Sequence, residues 1–286
     1  MNDKTIRLKD GRTLAYTEHG DLGGKPVFFV HGNPGSRYMR HPDETIATEL
    51  GLKIITPDRP GYGFSDFQPN RTLMDYPDDI AQLADSLSIE QFYMFGVSAG
   101  GPYVAATAFK LPERVLRGAI VSGAAPFDRA DALEGVSNTY RIAYESSTQP
   151  AWLLRVLMAM QMRGERRDPE KSWSQILDRA SPADRELLSQ PEFAEQVKAY
   201  RPEAVRNGVK GWVQEAKILV ASWGFPLRAV QPEIDLWYGE QDSIVPPQMG
   251  HYLDETIPNT NWYFVRDAGH FLIFMKWRDI LEALIA

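Results

Sequence analysis

Six short apolar runs recur along this chain, separated by stretches patterned as helix, and that alternation constrains its fold more than any other feature. Pro26-Val27-Phe28-Phe29-Val30 breaks off at His31-Gly32. Lys53-Ile54-Ile55-Thr56, Phe92-Tyr93-Met94-Phe95 and residues 116–121, 234–238 and 262–265 repeat the pattern. A strand apolar at nearly every position is buried on both faces, which is the habit of parallel sheets. Between the runs, Ile80, Leu83, Ala84 and Leu87 follow i, i+3, i+4, i+7 spacing and predict a helix over residues 79–87. Further helices are predicted over residues 100–111 and in the stretch that ends at Gly51. Ahead of them, Ile6 and Leu8 alternate with polar residues, Asp10-Gly11 offers a turn, and Leu14-Ala15-Tyr16 resumes an extended pattern, which reads as a hairpin. The whole predicts an α/β fold with a mostly parallel central sheet and helices on both faces.

The alternation breaks over residues 127–230. That region reads as helices punctuated by Pro150, Gly164, Pro169, Pro182, Pro191 and Pro202, with Trp152, Leu153, Val156, Leu157 and Met160 forming one apolar stripe. We expect it to be a helical cap over the carboxyl ends of the strands, inserted before the last two of them. The core is then residues 1–126 and 231–286. A chain of 286 residues suits one large domain carrying an insertion.

Composition narrows the partners. The formal net charge is −7, which argues against a polyanionic partner such as nucleic acid. There are no cysteines, so disulfides, thiolate metal sites and a cysteine nucleophile are excluded. The amino-terminal run Met-Asn-Asp-Lys-Thr-Ile-Arg shows no apolar signal region, and no stretch has the length of apolar sequence that spans a bilayer. A cytoplasmic chain acting on a small molecule is expected, with no membrane partner. The oligomeric state stays open.

The chemistry-bearing pattern is Gly96-Val97-Ser98-Ala99-Gly100, directly after one apolar run and at the start of a helix. Such a strand-to-helix turn lifts a serine hydroxyl above the sheet, and its small neighbours leave room for the strained backbone. Gly101 adds a third small residue for close helix–strand packing. A serine nucleophile needs a base. Of the five histidines, His270 stands in Ala268-Gly269-His270-Phe271 after the last predicted strand, hence at the same end of the sheet as Ser98. His251 falls inside a predicted helix, His19 and His41 sit in polar surroundings, and His31 belongs to a loop with another task.

The base needs an anion to orient it and to stabilise its charged form. Asp242, in the loop after residues 234–238, lies at the right end of the sheet, with Glu240 and Asp267 as rivals. The developing oxyanion needs two preorganised N–H donors. Ala99, next to the nucleophile, supplies one. The loop His31-Gly32-Asn33-Pro34-Gly35-Ser36 supplies the other, and because Pro34 has no N–H, Asn33 is the candidate. His31 then supports the loop.

These pieces resemble the α/β-hydrolase superfamily, in particular its capped, esterase-like serine hydrolases. The matching motifs are the loop from His31 to Ser36, Asp58-Arg59-Pro60-Gly61-Tyr62-Gly63-Phe64-Ser65, the turn at Ser98, the Asp242 loop and His270. Their order Ser98, Asp242, His270 is the order of that superfamily. The resemblance implies hydrolysis of a small ester, lactone or thioester through an acyl-enzyme, with no metal or organic cofactor. Haloalkane dehalogenases share a His-Gly-Asn-Pro loop, and epoxide hydrolases are close relatives. Both use an aspartate where this chain has Ser98, which argues against either activity. Proline iminopeptidases have a glycine-rich loop where Asn33 stands here. Peptidase or amidase action and C–C bond cleavage on the same triad remain alternatives. From a different class, so does a non-catalytic small-molecule receptor. The aromatic and methionine residues Trp152, Met158, Met160 and Trp173 suggest an apolar acyl pocket.

Overall fold

The computed structural model describes residues 3–128 and 131–286, so the two leading residues and two positions just inside the expected insertion lie outside it. Eight strands form one sheet: β1 (Lys4–Arg7), β2 (Thr13–Gly20), β3 (Lys25–Val30), β4 (Leu52–Pro57), β5 (Phe92–Val97), β6 (Val115–Val121), β7 (Ile234–Gly239) and β8 (Thr260–Val265). Their order across the sheet is β1-β2-β4-β3-β5-β6-β7-β8. The β1–β2 and β2–β4 pairs are antiparallel, and every pair from β4 to β8 is parallel.

The apolar runs are continuous because successive side chains enter two different cores. Phe28 and Val30 of β3 join Met94, Ile120 and Leu236 on one face, while Val27 and Phe29 join Phe95, Val97, Ala119 and Val121 on the other. Helices α2 (Tyr76–Ser86), α3 (Gly101–Lys110) and later α10 (Pro247–Thr256) cover the first face. The short α1 (Thr45–Glu49) and the terminal α11 (Leu272–Met275) and α12 (Trp277–Ile285) cover the second. There Phe29 stacks on Phe95 at 4.5 Å between ring centroids, and Trp277 meets both edge-on. Each such aromatic stabilises the fold by roughly 1.5–3 kcal/mol through burial alone.

Between β6 and β7 the described residues form six α-helices: α4 (Asn138–Ser146), α5 (Ala151–Arg167), α6 (Pro169–Arg179), α7 (Pro182–Leu188), α8 (Pro191–Ala204) and α9 (Lys210–Val220). Buried polar contacts tie α8 and α9 to loops beside the sheet and to α3. Arg37, fully buried, pairs with Asp58 at 2.7 Å and with Glu203 of α8 at 2.7 Å. Glu215 of α9 accepts from Arg71 at 2.5 Å and from the Tyr103 hydroxyl at 2.8 Å, and lies 3.3 Å from Arg59. Gly211 of α9 lies so close to Gly61 that a Cβ there would stand 2.4 Å from the Gly61 carbonyl oxygen.

The apolar stripe of α5 departs from its expected role. Trp152 and Met160 are each 66% exposed, and Val156 and Leu157 are about half exposed. Of the stripe only Leu157 and Met160 line a cavity, together with Leu154 and Met158, which lie outside the stripe. Trp152 faces away from it. Trp173 packs on the second core with the Lys198 ammonium 5.1 Å over its ring, and also stays outside the cavity. Helical periodicity places the stripe on one face but does not say whether another element covers that face.

Glu215→Gln leaves two buried guanidiniums without their carboxylate. It is expected to destabilise the protein by about 3–5 kcal/mol in urea unfolding. Trp152→Gln, on the exposed face of α5, is expected to stay within about 0.5 kcal/mol of wild type.

Candidate active site

The nucleophile candidate stands where β5 ends. Ser98 has a left-handed backbone, φ +56°, and begins a single helical turn that leads into α3. Three glycines make that turn possible. A Cβ on Gly96 would stand 2.7 Å from the Gly100 oxygen, one on Gly100 would stand 2.3 Å from the Val30 oxygen, and one on Gly101 would press on Ile120 and Gly123. The turn is thus clamped against β3 and β6, and any side chain at those positions would pry it open. Ala99 is the second residue of the turn, where backbone N–H groups have no partner further back along the helix.

A cavity of about 790 Å³ lies over this turn. Ser98, Ala99, Gly32, Asn33 and His270 line it from the sheet side. Tyr140 and Ile142 of α4, Leu157 and Met158 of α5, and Leu219 of α9 line it from the helices between β6 and β7. Gly32 is so near that a Cβ there would sit 3.5 Å from the Ser98 Cβ. The structure therefore brings together Ser98, Ala99, Asn33 and His270. No hydrogen bond joins the Ser98 and His270 side chains among the described residues; in unliganded enzymes that contact commonly tightens only with substrate.

His270 sits in the loop between β8 and α11. Its Nδ1 lies 2.8 Å from Asp242 Oδ2, and both residues are buried. Asp242 is itself fixed, because its Oδ1 accepts from the Ile244 and Val245 N–H groups at 2.9 Å each. The rivals are elsewhere: Glu240 and Asp267 are exposed, and Glu240 accepts from the Asp267 N–H at 3.2 Å. Burial alone disfavours a charged imidazole. The Asp242 charge, its hydrogen bond and the nearby Asp184 charge outweigh that, and hold the His270 pKa above the ordinary histidine value.

The other histidines have different surroundings. His31 is fully buried; its Nε2 accepts from the Arg59 N–H at 3.2 Å, which leaves Nδ1 as the donor to the Gly32 carbonyl at 2.9 Å. Burial and the Arg59 charge push its pKa far down, so it stays neutral and braces the loop. Burial brings His19 down to about 4. His41 stands at 5.7 Å from the Phe193 ring, edge to face, and His251 stacks on Trp262.

Four supporting residues went unassigned in the sequence reading. The Tyr62 hydroxyl donates to Asn33 Oδ1 at 2.7 Å, and Arg59 donates to the His31 and Gly32 carbonyls. Asp58 accepts from the Arg37 N–H at 2.7 Å and from the Phe64 N–H at 3.0 Å. Three of these lie in the motif from Asp58 to Ser65, and the clustering of charge and glycine there was the available signal. The fourth, Asp184 of α7, accepts from the backbone of His270 and Phe271. Among the described residues no group of three or more His, Asp or Glu side chains is placed to hold a metal ion, and no helix is long and apolar enough to cross a membrane.

A stretch of 106 residues is 37% identical to an uncharacterized hydrolase of Bacillus subtilis, covering 37% of this chain and 36% of that protein. The chain thus aligns with little more than a third of the length of the first curated relatives it matches. It is 26% identical to a probable proline iminopeptidase of Leptolyngbya boryana over 96% of its own length and 88% of that protein's. An esterase from Thermogutta terrifontis superposes with a TM-score of 0.70 at 23% identity, covering 100% of this chain and 97% of that one, a likeness of fold. Residues 25–276 match the family model of the alpha/beta hydrolase fold. The chain belongs to the alpha/beta hydrolase family.

Proposed function

We propose that the protein is a serine hydrolase that cleaves a small ester, lactone or thioester through an acyl-enzyme. The observation that carries this reading is the buried His270–Asp242 pair, held at 2.8 Å at the wall of the cavity that also exposes the left-handed Ser98. In this mechanism His270 Nε2 takes the proton of Ser98 Oγ as the hydroxyl attacks the carbonyl carbon. Asp242 holds the ring in the required tautomer and stabilises the imidazolium. The N–H groups of Ala99 and Asn33 receive the oxyanion, and Tyr62 and Arg59 keep the Asn33 loop in place to do so. His270 returns the proton to the leaving group. Water, activated by the same histidine, then releases the acid and restores the serine. None of these steps requires a metal or an organic cofactor.

Residues 127–230 act in this reading as a cap over the core formed by residues 1–126 and 231–286. The walls supplied by Leu154, Leu157, Met158 and Leu219 suit an apolar acyl group, whereas Trp152 and Trp173 do not contribute. The likeness to a proline iminopeptidase over most of the chain keeps amide cleavage as a second reading.

Turnover of a panel of chromogenic esters with matching anilides tests both. The expected result is ester hydrolysis that Ser98→Ala lowers by up to about 10⁶-fold. Preferential anilide turnover would favour the second reading. No turnover, together with no labelling of Ser98 by a fluorophosphonate, would overturn the enzyme and leave a small-molecule receptor.

The pH profile follows from His270. The base must be neutral, and its partners hold its pKa above the ordinary 6.5. The acid limb of kcat/KM is therefore expected to have its midpoint above that value, with activity lost as pH falls through it. Asp242→Asn should lower kcat by about 10⁴-fold, the loss expected when the ring is held in the wrong tautomer. It should also move the midpoint down, because it removes the charge that favours the imidazolium.

A further inference from the structure

Asp184 is 3% exposed and belongs to an inserted helix, yet both of its carboxylate oxygens reach the loop that carries His270. Oδ2 accepts from the His270 N–H at 2.9 Å, and Oδ1 accepts from the Phe271 N–H at 2.8 Å. These contacts join positions 86 and 87 residues apart. The neighbouring Ala183 N–H donates to the side chain of Gln241, the residue before Asp242, at 3.1 Å. An acidic residue in the first turn of a helix ordinarily serves its own helix end. Here that task falls to Ser181, whose Oγ accepts from the Asp184 N–H at 3.2 Å and donates back to Oδ2 at 2.9 Å. The carboxylate is thereby oriented outward, onto another element.

Gly269 carries the matching sign on the other side. A Cβ at that position would stand 2.3 Å from both Asp184 Oδ2 and Ser181 Oγ. The glycine before His270 is therefore shaped by the carboxylate that grips the loop. One acid holds the His270 ring and a second holds its backbone.

We propose that Asp184 is a positioning residue of the triad, a second carboxylate that fixes the His270 backbone and places a negative charge beside the imidazolium, so that the base is aligned when α7 is docked. This rests on the serine-hydrolase reading above. The charged and titratable groups around His270 are Asp242 from the loop after β7 and Asp184 from α7. On the same cavity wall stand Arg179 of α6, Arg201 of α8 with its partner Glu165 of α5 at 3.2 Å, and Tyr140 of α4. The charges of Asp242 and Asp184 favour the protonated form of His270. Burial raises the Asp184 pKa, against the pull of the Phe271 N–H, the His270 charge and the His270 N–H, so its charge is fully available only above the ordinary carboxylate range.

The test compares Asp184→Asn, Asp184→Ala and Asp184→Glu in ester turnover, with an NMR titration of His270 in each. Asp184→Asn keeps the shape but loses the charge and, because an amide has a single acceptor oxygen, one of the two loop N–H contacts. It is expected to lower kcat about tenfold with KM within about twofold, and to shift the His270 midpoint down. Asp184→Ala loses the grip as well and is expected to cost up to about 10²-fold in kcat, the scale of a slightly misplaced catalytic group. Asp184→Glu should restore the midpoint more than the rate, separating charge from geometry. Should Asp184→Asn fold poorly, Ser181→Ala, which removes one support of Oδ2 but keeps the charge, should lower kcat by a smaller factor with the His270 midpoint unchanged. Lower thermal stability with unchanged kcat and an unchanged His270 midpoint would overturn the proposal and leave a purely structural contact. The NMR titration does not depend on turnover. A shifted midpoint in a protein that turns over no ester or anilide and takes no fluorophosphonate label would uphold the hold of Asp184 on His270 and sink the hydrolase reading instead.

Discussion

The left-handed turn at Ser98 is the constraint around which the rest of the molecule is arranged. A serine held at φ +56° between a strand and a helix is a strained conformation, costing on the order of 1–3 kcal/mol. It persists because its surroundings leave no alternative. Gly96, Gly100 and Gly101 press the turn against β3, β6 and the start of α3 at distances that no Cβ would tolerate. The two buried faces of the sheet supply the packing that offsets the strain. With the turn in place, residues of the loops after β3, β7 and β8 line the same cavity as Ser98.

Those loops are held by buried charge. Arg59 donates to the carbonyls of His31 and Gly32, Arg37 binds Asp58, and Glu215 lies against Arg59 and Arg71. Buried ion pairs contribute little net stability compared with apolar packing, but removing one partner is costly. Their effect here is on geometry. A carbonyl pinned by a guanidinium fixes the direction of the adjoining N–H groups, which is what an oxyanion site requires. Glu203 and Glu215 come from the helices between β6 and β7, so the same interactions that brace the loop from His31 to Ser36 also dock those helices on the core.

Much of this could be read from the sequence. The apolar runs mark strands that alternate into two cores, and all six appear as strands within a residue or two of the expected bounds. The glycines around Ser98 announce close approach. His270 and Asp242 follow from their place after strands that must end on one side of the sheet. Other features were hidden. The stripe on α5 has the spacing of a core face, yet all of it but Leu153 is exposed, since periodicity does not reveal what covers a face. Asp184 stands in Ser181-Pro182-Ala183-Asp184, which reads as an ordinary helix start, and its contacts with His270 and Phe271 span nearly ninety residues.

The sequence by itself determined the parallel sheet, the strained serine turn and the chain order of serine, aspartate and histidine, because each is written in local patterns: apolar runs, glycines beside a serine, and residues that end strands. Only the tertiary structure decided which acid meets the histidine ring, which carboxylate holds its backbone, and which apolar side chains face the cavity. Those are contacts between segments far apart in the chain. They depend on how helices dock on the sheet, and docking is set by the summed packing of the whole surface.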